Sequence, residues 1–193
     1  MRKVFIYIGV SLDGYIAKPG DDLSFLNISE KEGEDYGYAE FIADIDTYII
    51  GRRTYDWVVN NVGIQHYEKG SRTLYVVSRY DMQDREKIKF FKGTPSELVR
   101  QLKSQPGKNI YCDGGAEVID DLLKNDLIDE MVISYLPILV GDGIRLFKDG
   151  RPEQLLELAG VKSYDTGLVQ LHYKRVRWKH YPTHDRNHNH HPH

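Results

Sequence analysis

Three segments of this chain run from a short β-prone stretch straight into glycine or basic residues and then into helix-forming sequence. They are Tyr48-Ile49-Ile50-Gly51-Arg52-Arg53-Thr54, Leu74-Tyr75-Val76-Val77-Ser78-Arg79 and Ile110-Tyr111-Cys112-Asp113-Gly114-Gly115-Ala116. The recurrence restricts the fold to a class in which strands and helices alternate, an open α/β sheet. In such sheets ligands bind outside the carboxyl ends of the strands. A helix that starts there offers unpaired N–H groups and the positive end of its dipole. Arginines at two junctions, and a Gly-Gly pair at the third that lets backbone approach a ligand closely, predict a cradle for a phosphorylated small molecule.

The 193 residues suit one domain with a core of its own, and 40% hydrophobic with 28% charged residues is ordinary for a globular chain. The net charge of −3 leaves no broad basic footprint for nucleic acid, so the arginines are expected to act locally on a small anion. The single cysteine, Cys112, excludes an intrachain disulfide framework and points to a reducing, cytoplasmic setting. Cys112 itself reads as a small core residue rather than a nucleophile. The apolar run Val4 to Val10 is too short to span a bilayer, and Asp13 and Gly14 interrupt it, so neither a membrane partner nor a signal peptide is expected.

Val4 to Val10 reads as a central strand and Ser11 to Asn27 as a long, functional loop. Glu34 to Ile45 spaces Tyr38, Phe41, Ile42 and Ile45 as an amphipathic helix. A strand over 47–50, a helix over 54–60, a polar connection to Gly70 and strands over 73–78 and 88–91 follow. Thr94 as cap, Pro95 at the first position and Glu97 at the third start a helix that runs to Ser104. A strand over 109–112, a helix over 116–124 and a strand over 130–139, bent at Pro137, precede a hairpin of 161–165 and 168–177 around Thr166-Gly167. This order predicts a mostly parallel sheet with an antiparallel C-terminal edge, and one domain over residues 1–178. Six of the eight histidines fall in 179–193, which reads as a disordered His-rich tail capable of weak metal capture but outside the site. No metal site is expected in the domain.

Ser11-Leu12-Asp13-Gly14-Tyr15-Ile16-Ala17, Gly51-Arg52-Arg53-Thr54-Tyr55 and Asp113-Gly114-Gly115, in this order, resemble the dihydrofolate-reductase-like superfamily. They are most similar to the reductase domain of bifunctional riboflavin-biosynthesis proteins and its stand-alone bacterial relatives, over residues 2–178. The resemblance implies a three-layer fold: a twisted sheet of about eight strands with helices on both faces, and NADPH bound across the strand ends. By position, Gly51, Arg52, Arg53 and Thr54 would meet the pyrophosphate or 2′-phosphate, and Ser78 and Arg79 the adenosine phosphate. Asp113, Gly114, Gly115, Ala116 and Glu117 would hold the diphosphate and nicotinamide-ribose side. Leu12, Asp13 and Gly14 would belong to a mobile loop over the nicotinamide. The Pro-Trp of true dihydrofolate reductases is missing, with Asp21 to Leu26 in its place, and so is the His-x-Glu with Pro-Cys-x-x-Cys of the riboflavin enzyme's zinc deaminase half.

Reduction of a C=N or C=O bond needs a proton source, typically a carboxylic acid with a raised pKa. Asp13 and Asp35 are the catalytic candidates; Asp13 also reads as a turn former and Asp35 as a first-turn helix acid. Tyr15, Phe25 and Asp35 are candidates for substrate contact. Tyr7 reads as pocket or core, and Trp57 as packing. The expected function is NADPH-dependent reduction of a pterin-like or pyrimidine-like heterocycle, the alternative being a non-catalytic protein that binds a nucleotide or phosphorylated metabolite on the same fold. The expected partners are a small heterocyclic substrate and a second copy of the chain; the segment from Pro137 to Phe147 is a candidate edge extension for that dimer.

Overall fold

The computed structural model describes residues 1–68 and 70–177; the expected His-rich tail and the domain boundary at Trp178 lie outside the described residues. The strands are β1 (Val4–Ser11), β2 (Tyr15–Ala17), β3 (Ile45–Gly51), β4 (Thr73–Ser78), β5 (Ile88–Lys92), β6 (Asn109–Cys112), β7 (Glu130–Leu136), β8 (Ile144–Arg145), β9 (Leu156–Ser163) and β10 (Val169–Arg175). The helices are α1 (Tyr38–Ile42), α2 (Arg52–Asn61), α3 (Gln65–Glu68), α4 (Pro95–Lys103) and α5 (Ala116–Lys124). Eight strands form one sheet in the order β5-β4-β3-β6-β1-β7-β10-β9. The first six are mutually parallel, and β10 is antiparallel to both its neighbours.

Alternation along the central strands builds the two outer layers. Val4, Ile6, Ile49, Ile110 and Cys112 point to one face, where Leu98, Val99 and Leu102 of α4 and Val118, Ile119 and Leu122 of α5 cover them. Phe5, Tyr7, Tyr48, Ile50 and Tyr111 point to the other, under Phe41 of α1, Tyr55 and Val58 of α2 and Tyr67 of α3. Strands buried on both faces account for the near-continuous apolar runs in the sequence. Ile6, Ile49 and Ile110 are fully buried, and each contributes about 2 kcal/mol of burial free energy.

Several boundaries differ from those read in the sequence. The helix expected over 34–45 shrinks to α1, because Gly33, Tyr36 and Gly37 take positive φ and break its first turns, and Ile45 opens β3 instead. The long loop after β1 contains β2 and a 3-10 helix over Ser24–Ser29. The strand expected over 130–139 ends at Leu136, before Pro137. The segment after it does not stay a free edge: β8 pairs with β2 of the same chain.

Strand order and register together define the functional edge. The chain steps from β1 to β3, moves outward to β4 and β5, then returns to insert β6 between β3 and β1. Such reversals open a crevice at the carboxyl ends of the strands. Ile6 and Ile49 both pair with Cys112, and Gly51 pairs with Val77. Gly51 at the end of β3, Ser78 at the end of β4 and Asp113 just after β6 therefore emerge along this edge, beside Tyr7 of β1.

Candidate active site

A cleft of about 1080 Å³ runs along that edge. Gly51, Arg52, Arg53, Thr54, Ser78, Arg79, Asp113, Gly114, Gly115, Ala116 and Glu117 all line it, so the three junctions named from the sequence meet on one cavity. The main chain joins two of them directly: the Gly51 amide donates to the Gly114 carbonyl at 3.1 Å, and the Asp113 amide to Ile49 at 3.0 Å.

The helix starts in this cleft are of two kinds. At α4, Thr94 and Glu97 form a reciprocal capping box that occupies the first free amides. At α2 and α5 the cap positions are Gly51 and Gly115, and no side chain caps either helix. Their first-turn N–H groups thus keep their hydrogen-bonding capacity and the positive dipole end for an anion. A side chain would be crowded at both: a Cβ at Gly51 would lie 3.0 Å from Val118 Cγ2, and one at Gly115 would lie 3.1 Å from Thr54 Oγ1. Gly114 has φ of +110°, a conformation that L side chains rarely adopt.

Acidic residues hold three of the cations around these helix starts. Arg52 pairs with Asp56 at 2.9 Å one turn along α2, Arg53 contacts both carboxylate oxygens of Asp21, and Lys148 pairs with Glu117. Both members of the Arg53–Asp21 and Lys148–Glu117 pairs line the cleft, as do Tyr80, Pro95 and Arg145. None of Asp21, Tyr80, Arg145 or Lys148 carries a sequence signal. Thr94-Pro95 does: it is a fourth strand-to-helix junction, legible as a helix start but not as a part of the site.

The other part of the cleft is aromatic. Tyr7, Trp57 and Tyr111 line it, together with Ile8, Gly9 and Leu26. Asp113 sits among these rings, partly buried, and accepts hydrogen bonds from Tyr111 Oη to Oδ1 and from Tyr67 Oη to Oδ2, both at 2.8 Å. Burial pushes its carboxyl above the ordinary carboxylate range, and the two phenol donors only partly offset that rise. Cys112 beside it lies in the core with its thiol pushed up to about 12 by burial.

Leu12, Asp13, Gly14, Tyr15, Phe25 and Asp35 are not brought into the cleft. Asp13 instead ties the loop after β1 to the segment after β7. Its carboxylate accepts from Ser11 Oγ at 2.5 Å and from the amides of Val140 and Gly141, and these bonds, the hydroxyl foremost, hold it below the usual range. Asp35 starts α1: the amides of Ala39 and Gly37 bond its exposed carboxylate and lower its pKa. Both carboxyls are thus kept ionised, the opposite of what a proton donor needs. Leu12 is exposed at the surface, and the Gly14 carbonyl accepts from the Leu146 amide. Tyr15 pairs with Arg145 across β2 and β8, while the next residues, Ile16 and Ala17, line the cleft. Phe25 is buried with Leu136 and Leu168, and Leu26 faces the cavity in its stead. Tyr7 and Trp57 reach the cleft from positions that also read as packing.

The RibD C-terminal domain family matches residues 56–170. The chain is 38% identical over 175 residues to the uncharacterized protein YwjB of Bacillus subtilis (strain 168), covering 91% of this chain and 99% of that one. Among solved structures, a candidate riboflavin biosynthesis protein from Shewanella sp. PV-4 superposes with a TM-score of 0.81 at 29% identity, over 91% of this chain and 99% of that one. The diaminohydroxyphosphoribosylaminopyrimidine deaminase/5-amino-6-(5-phosphoribosylamino)uracil reductase of Thermotoga maritima shares the fold, with a TM-score of 0.68 at 13% identity. This chain matches 57% of its length. A dihydrofolate-reductase-like sheet, a glycine-capped cleft at its strand ends and these matches agree: the chain belongs to the RibD C-terminal domain family.

Proposed function

We propose that the protein is an NADPH-dependent reductase of a pyrimidine-like or pterin-like heterocycle. One observation carries the reading: two helix starts without side-chain caps, α2 and α5, border the same cleft as the Asp113 carboxyl, which two phenol hydroxyls hold and whose pKa burial raises. The first feature suits a dinucleotide's phosphates and the second suits proton delivery to a bond being reduced.

The residues present fit the cofactor. Gly51, Gly114 and Gly115 leave room for backbone to approach a diphosphate, and Arg52, Arg53 and Arg79 supply charge for it and for a 2′-phosphate. When bound, the reduced nicotinamide supplies the hydride. The faces of Tyr7, Trp57 and Tyr111 suit a flat ring and exclude water from it. Asp113 holds a proton on an oxygen that keeps a lone pair beyond its phenol bond, and gives it to the nitrogen or oxygen of the reduced bond. The reductase activity in the name of the Thermotoga relative recommends a ribosylaminopyrimidine phosphate as the first substrate to test. A second copy of the chain belongs to the same proposal, since β9 is an edge strand with Leu158 and Val161 exposed.

The test has two stages. Titration with NADPH should raise the melting temperature, and mixing with 5-amino-6-ribosylaminouracil phosphate or dihydrofolate should consume NADPH absorbance. An unchanged melting curve at millimolar NADPH removes the reading. Binding without turnover of either substrate leaves only nucleotide binding.

A further inference from the structure

The reading of Asp113 as the acid leaves open what holds its carboxyl in place, and the packing around it supplies an answer. Tyr111 lies on β6 with Asp113, and its hydroxyl is shared between Asp113 Oδ1 and the Tyr7 carbonyl, at 2.8 Å from each. Tyr67 comes from α3, far away in sequence, and its hydroxyl has one partner among the described residues, Asp113 Oδ2. Tyr67 is 2% exposed and its ring packs edge-on against Tyr48, with centroids 5.3 Å apart, while the exposed His66 ring lies 4.9 Å away. Burial, and the charge and hydrogen bond of Asp113, raise the pKa of this phenol, so it keeps its proton and donates it to Asp113 Oδ2. We infer that Tyr67 is a positioning residue for the reaction: its hydroxyl orients the Asp113 carboxyl toward the cleft and tunes how readily that carboxyl releases its proton.

The sign follows from the chemistry of the bond. A phenol donor stabilises the ionised carboxylate more than the neutral acid, so it opposes the rise that burial imposes. Tyr67 and Tyr111 are the two donors to Asp113; His66, when protonated, acts in the same direction from the exposed side, and Tyr38 and Tyr48 complete the surrounding set of phenols. Without the Tyr67 hydroxyl, Asp113 retains its proton to higher pH and is less firmly oriented. An acid catalyst is active below its pKa and loses activity as pH rises through it. The alkaline limb of the pH–kcat profile therefore moves upward when the hydroxyl is removed.

The inference rests on the Asp113 reading, and two variants separate them. Tyr67→Phe keeps the ring that packs on Tyr48, so the fold is expected to persist. Its kcat should drop roughly tenfold, the scale of a modest loss of orientation. NADPH affinity should stay within a factor of about two, because no cofactor contact is removed, and the alkaline limb should shift to higher pH. Carbon-detected NMR titration of the Asp113 carboxyl in wild type and Tyr67→Phe reads the same shift without substrate. If Asp113→Asn abolishes turnover yet the limb and the carboxyl titration are unmoved in Tyr67→Phe, the phenol is only structural and the inference is overturned. If Asp113→Asn turns over normally, the acid assignment fails first.

Discussion

The contact between Gly51 and Val118 offers the sharpest test of the cleft, because it joins the starts of α2 and α5 at a point where backbone strain is absent. Gly51 has φ −79° and ψ 163°, which alanine adopts freely, so Gly51→Ala introduces a purely steric perturbation. The new Cβ lies 3.0 Å from Val118 Cγ2. Comfortable carbon contacts fall at about 3.5–4.0 Å, so the Val118 side chain or the helix start that carries it must give by a few tenths of an ångström. Overpacking of this kind costs about 1–3 kcal/mol of stability. An error near 1 Å in placement can cost as much as about 100-fold where geometry matters, so roughly tenfold weaker NADPH binding is expected.

The rescue is specific. Val118→Ala removes Cγ2 at a cost of about 1.5–3 kcal/mol for the lost burial and the cavity. In Gly51→Ala/Val118→Ala the added methyl faces the space the valine vacated. The two stability changes should then fall short of additivity by about 1 kcal/mol or more. NADPH affinity, followed by fluorescence titration, should return to within about threefold of wild type, the limit set by residual misalignment. The lower quality of alanine as a helix cap is common to single and double variants and cancels in the cycle. Strict additivity, or a double variant that binds no better than Gly51→Ala, refutes the claim that these two helix starts act jointly on one anion.

Asp113→Asn should lower kcat by about 100–10,000-fold with NADPH affinity retained, in stopped-flow or steady-state assays. The same variant tests the sign of the carboxyl's linkage. Burial raises its folded pKa, so wild type loses stability as pH climbs from the unfolded value of about 3.9 towards the folded one, and the variant's melting temperature should gain on wild type across that interval. Arg52→Ala should weaken NADPH about tenfold, at the low end of a charge-assisted bond because Arg52 is partly exposed. If NADH weakens equally in binding titrations, Arg52 meets the diphosphate; if NADH is unaffected, it meets the 2′-phosphate. Cys112, 1% exposed with its thiol pushed up to about 12, should resist thiol reagents at neutral pH until denaturant unfolds the chain; prompt labelling of the native protein contradicts the packing described.

The parts of this protein that were legible in its sequence are those governed by local chemistry. Runs such as Tyr48-Ile49-Ile50 announce strands covered on both faces, and Thr94-Pro95-Ser96-Glu97 announces a capped helix in four residues. Gly51 and Gly114-Gly115 announce strand ends where a side chain is crowded, at Gly51 and Gly115, or the backbone takes positive φ, at Gly114. The failures concern long-range contacts. Asp13-Gly14 has the composition of a turn and an acid alike, and only the amides of Val140 and Gly141, over 120 residues away, decide between them. Phe25 and Leu26 are equally apolar, and which one meets the cleft depends on the 3-10 turn and on Leu136 and Leu168. Asp113 read as one more residue beside a glycine pair, because its distinction comes from the Tyr67 and Tyr111 hydroxyls and from burial, none of which a local pattern carries.

The short run Asp113-Gly114-Gly115-Ala116 joins the two halves of the site, and the difference between those halves explains why it can serve both. On the helix side, Arg52, Arg53 and Lys148 already face Asp56, Asp21 and Glu117, so their field is largely neutralised and screened by solvent before it reaches the aromatic side. Burial therefore dominates at Asp113, and its carboxyl sits above the ordinary range despite a cleft lined with guanidinium groups. Were those cations unpaired and close, they would pull the carboxyl down.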